Sequence, residues 1–113
     1  FVSKDEGRTW SFSSKIGDTG LNNGNPPGLA ILEDGRLACC YANRTKSKIF
    51  LRFSENNGAS WGKEIVIRDN PHSYDMGYPQ LLQNNEEDLV ALYYIATEEN
   101  PLSYIEAAII NGL

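Results

Sequence analysis

Two octets, Ser3-Lys4-Asp5-Glu6-Gly7-Arg8-Thr9-Trp10 and Ser54-Glu55-Asn56-Asn57-Gly58-Ala59-Ser60-Trp61, share the pattern Ser-x-Asp/Asn-x-Gly-x-Thr/Ser-Trp at a separation of 51 residues. A recurrence of this kind calls for two copies of one supersecondary unit, each about 50 residues long. The residue types explain why the pattern recurs. Asp5 or Asn56 can accept from nearby backbone N–H groups, Gly7 or Gly58 supplies a left-handed φ, and the hydroxyl of Thr9 or Ser60 can tie off the turn. Trp10 or Trp61 is then expected to pack the hairpin against its own unit. The second octet has Asn for Asp and Ser for Thr, and both exchanges keep a hydrogen-bonding side chain in place.

Around these turns the sequence reads as strands. Leu29 to Leu32 follows the breaker Gly24-Asn25-Pro26-Pro27-Gly28, Glu33-Asp34-Gly35 is a hairpin turn, and Arg36 to Ala42 is the return strand. Lys48 to Phe53 alternates Ile49, Leu51 and Phe53 against Lys48, Phe50 and Arg52 and leads into the second octet, after which Glu64 to Arg68 completes a four-stranded unit. The order then restarts with Tyr78 to Gln83, Asp88 to Ala96 and Ser103 to Ile110. No segment of helical length carries a 3.6-residue period, so the expected class is all-β. Strand-rich units repeating at this period are the signature of propeller blades, each about four short strands.

Composition narrows the function classes. A length of 113 residues suits one domain, and 41 % hydrophobic with 22 % charged residues argues against intrinsic disorder. The net charge of −5, with no basic cluster beyond Arg44, Lys46 and Lys48, is the wrong field for phosphate backbones, so no nucleic-acid partner is expected. No run of 18 apolar residues is present, which excludes a transmembrane helix, and no membrane partner is expected. The chain opens at Phe1 on a polar turn sequence, which reads as a piece of a longer or processed chain and leaves the compartment unread. Cys39 and Cys40 are adjacent on a strand and so point to opposite faces, poorly placed to bond each other. With His72 the only histidine, neither a metal site nor a cofactor is expected.

The octet is the Asp box of sialidases and related proteins, and the chain resembles the last part of a sialidase-like, BNR-repeat six-bladed β-propeller. The segments Asn25-Pro26-Pro27-Gly28-Leu29, Asp34-Gly35-Arg36-Leu37, Asp75-Met76-Gly77-Tyr78-Pro79, Leu89-Val90-Ala91-Leu92-Tyr93-Tyr94 and Tyr104-Ile105-Glu106-Ala107-Ala108-Ile109 carry the resemblance in the family's order. It implies one propeller domain made of about two four-stranded antiparallel blades: residues 1–25 as the end of a preceding blade with the first Asp box, 26–72 as a complete blade with the second, and 73–113 as a final blade of three strands. Two blades leave apolar faces open, so the segment alone should be aggregation-prone. The expected partners are the rest of the propeller in a longer chain, or further copies that assemble into a ring.

The resemblance also implies a chemistry. Retaining sialidases hold the sugar carboxylate with arginines, use a tyrosine paired with a glutamate as nucleophile, and use an aspartate as acid/base; a guanidinium fork matches a carboxylate, and a tyrosine avoids charge repulsion near an anionic substrate. Tyr78, in Tyr78-Pro79-Gln80-Leu81, matches the nucleophile's Tyr-Ser-x-Leu context in part and is the candidate catalytic residue, with Asp75 as a base or an acceptor of sugar hydroxyls. Arg44 stands nearest to the third arginine, whose register falls on Lys46 or Ser47, and is the candidate anion-binding residue. Asn25 and His72 are further candidates for substrate contact at the channel mouth. The function implied is part of a sialidase-like glycoside hydrolase acting on terminal sugars of glycans, the alternative being a non-catalytic carbohydrate-binding or interaction propeller. Asn43-Arg44-Thr45 is a formal glycosylation sequon.

Overall fold

A computed structural model of the chain describes residues 1–21 and 24–113. The described residues form seven strands and no helix: β1 (Gly28–Ile31), β2 (Leu37–Asn43), β3 (Lys48–Ser54), β4 (Ile65–Arg68), β5 (Gly77–Gln83), β6 (Leu89–Ile95) and β7 (Tyr104–Ile110). They make two antiparallel sheets, one ordered β1-β2-β3-β4 and the other β5-β6-β7. The all-β class is therefore observed, and each strand lies within a residue or so of the span expected from alternation and turn residues. The turns act as stops: Gly35 N–H donates to Leu32 O, and Asn84 Oδ1 accepts from both Glu86 and Asp88 N–H between β5 and β6.

The two sheets pack face to face. Ala38, Cys40, Ala42, Ile49 and Leu51 of the first sheet meet Leu89, Ala91, Tyr93 and Ile95 of β6 in one core that also holds Leu32 and Met76. The period of two along β6 puts Leu89, Ala91, Tyr93 and Ile95 inward and Val90, Leu92 and Tyr94 on the other face. Each fully buried leucine or isoleucine here contributes about 1.5–3 kcal/mol of apolar burial. β2 is buried on both faces: a second cluster of Cys39, Tyr41 and Phe50 is covered by Ile16 and Trp61. Cys39 and Cys40 thus belong to different clusters and are both free, and burial pushes their thiols up to about 11 and about 12.

The outer face of the second sheet is open. Leu82 of β5 and Ile105 and Ile109 of β7 are all more than two-fifths exposed, alongside the partly exposed Val90 and Leu92. Between the sheets, Arg68 at the end of β4 makes a bidentate pair with Glu106 of β7, Nε to Oε2 at 2.7 Å and Nη2 to Oε1 at 3.3 Å. Tyr93 donates to the same carboxylate at 2.7 Å and Tyr104 at 3.3 Å, so one acidic side chain gathers three donors from three strands or strand ends.

The two octets fold alike. Residues Glu6 and Gly7 have φ of 62° and 87°, and Asn57 and Gly58 have 57° and 81°. Ser3 Oγ accepts from Gly7 N–H as Ser54 Oγ does from Gly58 N–H, and Asp5 and Asn56 each accept from the backbone N–H four residues on. The exchange of Asp for Asn reverses one bond. Thr9 donates its hydroxyl to Asp5 Oδ2 at 2.6 Å, whereas Asn56 Nδ2 donates to Ser60 Oγ at 2.7 Å. Trp61 is partly buried against the Cys39 cluster and donates to Ser14 Oγ, but Trp10 is 63 % exposed and its indole N–H returns to Gly7 O. The expected packing of the tryptophan therefore holds for the second octet only, because no sheet among the described residues lies under the first.

Asp5 gives a direct check on this turn geometry. The Thr9 hydroxyl, then the Thr9 N–H and the Ser3 hydroxyl, all bond the ionised carboxylate and lower it to about 2. A group depressed in the folded state stabilises the turn above its unfolded value and loses that contribution as pH falls through the folded one. The Asp5 carboxyl is expected to titrate near 2 by carbon-13 NMR, and its midpoint should rise toward the ordinary aspartate value when Thr9 is replaced by valine.

Candidate functional site

The loop ends of β2 and β6 and the start of β5 meet at one corner of the molecule. The tight turn after β2 starts there, with Asn43 Oδ1 accepting from Lys46 N–H at 2.9 Å and Ser47 at φ 55°. This turn carries Arg44 toward the second sheet. Its side chain is only 7 % exposed, and its Nε donates to Met76 O at 3.1 Å and its Nη2 to the Tyr94 hydroxyl at 2.8 Å. The Tyr94 hydroxyl in turn donates to Asp75 Oδ1 at 2.5 Å, and the same oxygen lies 3.7 Å from Arg44 Nη2. The result is a chain of guanidinium, phenol and carboxylate running from the interior to solvent, where the Asp75 side chain is 61 % exposed. Burial, and then donation to Asp75, pushes the Tyr94 phenol up to about 12 despite the opposing Arg44 charge, so this hydroxyl keeps its proton at neutral pH.

Tyr78 stands beside this chain. Its ring centroid is 5.9 Å from that of Tyr94 at a 41° tilt, and the residue is 53 % exposed. Its backbone is unusual, with φ of 50°, and follows Gly77 at φ 129° in an irregular stretch of the β5–β6 pairing. Asn25 holds this stretch from below: Nδ2 donates to Ala42 O at 3.2 Å and Oδ1 accepts from Tyr78 N–H at 3.4 Å. Asn25 is itself only 7 % exposed, so it contacts the protein and not the surface.

The structure thus brings together Arg44, Asp75, Tyr78 and Asn25, which lie up to 53 residues apart in sequence. His72 is on the same loop and exposed, tied by its N–H to Ala96 O, but its imidazole joins none of these bonds among the described residues. Tyr94 is the member that sequence reasoning did not single out from Tyr93. Alternation along β6 separates the two, since Tyr93 faces the core and Tyr94 the corner. Asn43 of the sequon is 3 % exposed with its amide oxygen engaged, so its side chain is not presented for glycosylation.

Chemically, the corner offers an exposed aromatic face and an exposed carboxylate fixed by a buried cation and a phenol. A flat ring packs against the apolar face of a pyranose, and each carboxylate oxygen accepts hydroxyl donors. Among the described residues no group of three or more His, Cys, Asp or Glu is placed to hold a metal ion, and no helix is long and apolar enough to cross a membrane. No family model, curated protein or solved structure matches the chain.

Proposed function

We propose that the two sheets are consecutive blades of a sialidase-like six-bladed propeller, and that the corner formed by Arg44, Asp75, Tyr78 and Tyr94 binds a terminal sugar of a glycan. The observation that carries this reading is the pairing of an exposed tyrosine ring with a carboxylate held in place by Arg44 and Tyr94. The blade reading draws support from the two Asp-box turns of matching backbone geometry at a 51-residue interval. The open apolar face of the second sheet suits a further sheet, whether from a longer chain or another copy.

The glycoside hydrolase reading has one observation in its favour, the short bond from a tyrosine hydroxyl to a carboxylate beside a guanidinium. That tyrosine is Tyr94. Tyr78, the nucleophile candidate by resemblance, donates its hydroxyl to no carboxylate among the described residues. Recognition without hydrolysis is therefore the reading the geometry supports best. Glycan-array binding by the full chain, with fluorogenic glycosides assayed in parallel, tests it. Tyr78→Ala is expected to weaken binding about tenfold through loss of the stacking face, on the order of 1.4 kcal/mol, while Tyr78→Phe keeps most of it. Turnover of a fluorogenic glycoside that Tyr78→Phe abolishes would establish the hydrolase instead.

A further inference from the structure

Resting on the glycan-binding reading, we infer that this corner selects a neutral sugar and disfavours an anionic one. The reason lies in which charge the protein has already used. An arginine that recognises a ligand carboxylate must offer its N–H fork to the ligand. Here the Arg44 side chain is almost wholly buried, its Nε is bonded to Met76 O, its Nη2 to the Tyr94 hydroxyl, and its charge has a counter-ion in Asp75 at 3.7 Å. A ligand carboxylate would have to displace the protein's own.

The group turned to solvent is the opposite one. Asp75 is exposed for three-fifths of its side-chain surface and holds the Tyr94 hydroxyl through Oδ1. An ionised carboxylate so placed accepts hydroxyl donors, as a neutral hexose supplies, and repels a sialic or uronic acid carboxylate. The neighbouring side chains reinforce this: Tyr78 and Tyr74 are exposed and uncharged, and the chain as a whole carries a net charge of −5. Arg44 is then a positioning residue, acting on ligand only through Tyr94 and Asp75.

The test is a calorimetric or NMR titration of the full chain with methyl α-glucoside, methyl α-galactoside and methyl α-mannoside, set beside methyl glucuronide and free sialic acid. At least one neutral glycoside is expected to bind tenfold or more tightly than either acid, with an affinity that does not change between low and high salt. In Asp75→Asn the neutral sugar should bind about tenfold more weakly and the ratio of neutral to acidic affinity should fall. Preferential binding of an acidic sugar, weakening with salt, overturns the inference and leaves the glycan-binding reading standing. Binding of a neutral sugar with a ratio unchanged in Asp75→Asn also overturns it, since Asp75 would not be the selecting group. Binding of none of the five overturns both.

Discussion

Gly77→Ala is expected to destabilise the fold by about 3 kcal/mol or more and to abolish binding at the corner. Gly77 sits at φ 129°, a conformation that side-chain-bearing residues rarely adopt, and such strain costs about 1–3 kcal/mol by itself. Space makes the cost larger. A Cβ at this position would stand 2.5 Å from Asn25 Oδ1 and 2.9 Å from Ala42 Cβ. Neither neighbour can give way, because Asn25 is pinned to Ala42 O and Ala42 is fully buried between the sheets. Relief would come only by moving the start of β5, which carries Tyr78 away from Tyr94. Chemical denaturation reads the stability loss, and a midpoint unchanged from the parent would mean that Gly77 does not hold this positive-φ backbone in solution.

Glu106→Ala is expected to cost about 1.5–3 kcal/mol, the usual range for losing hydrogen bonds to a charged group. The carboxylate serves Arg68, Tyr93 and Tyr104 together, and the Tyr93 hydroxyl belongs to a residue that is only 3 % exposed. Glu106→Gln should cost less, since its amide oxygen still accepts from two of the donors. The same cluster predicts a pH effect. Burial raises the Glu106 carboxyl, but the bonds from Arg68, Tyr93 and Tyr104 together outweigh it and leave the group below the ordinary glutamate range. Its contribution is therefore complete above the unfolded value, about 4.3, and is lost as pH falls below it. Denaturation midpoints of the parent should drop more steeply below about pH 4 than those of Glu106→Gln. Parallel curves for the two would remove Glu106 as the group responsible.

How much of this was legible in the sequence depends on how local each feature is. The strands and the two octet turns rest on alternation and on Gly, Asn and Asp at fixed offsets, all within a few residues, and they lie where those signals put them. The burial of Trp61 but not Trp10 could not be read that way, because it depends on which sheet lies beneath each turn. The corner is harder still. Arg44 meets Met76 across 32 residues and Tyr94 across 50, so their meeting depends on how one sheet packs on the other. The sequence brings Arg44, Asp75 and Tyr78 to attention as residue types, and it has no local signal that Arg44 would be spent inside the protein. Asn25 looked like a surface contact beside a Pro-Pro breaker, yet it is buried as the support of the Gly77–Tyr78 backbone. The Arg68–Glu106 pair spans 38 residues, and no local pattern around either side chain points to the other.

A two-dimensional amide NMR titration of the full chain with the neutral glycoside that binds best shows whether a sugar sits against Tyr78 and Asp75. Shift changes are expected to centre on Asp75, Gly77, Tyr78 and Tyr94 and to be absent in Tyr78→Ala. Shifts confined to the opposite loop ends around Glu33–Arg36 and Asn84–Asp88, or no shifts at saturating sugar, would contradict that placement.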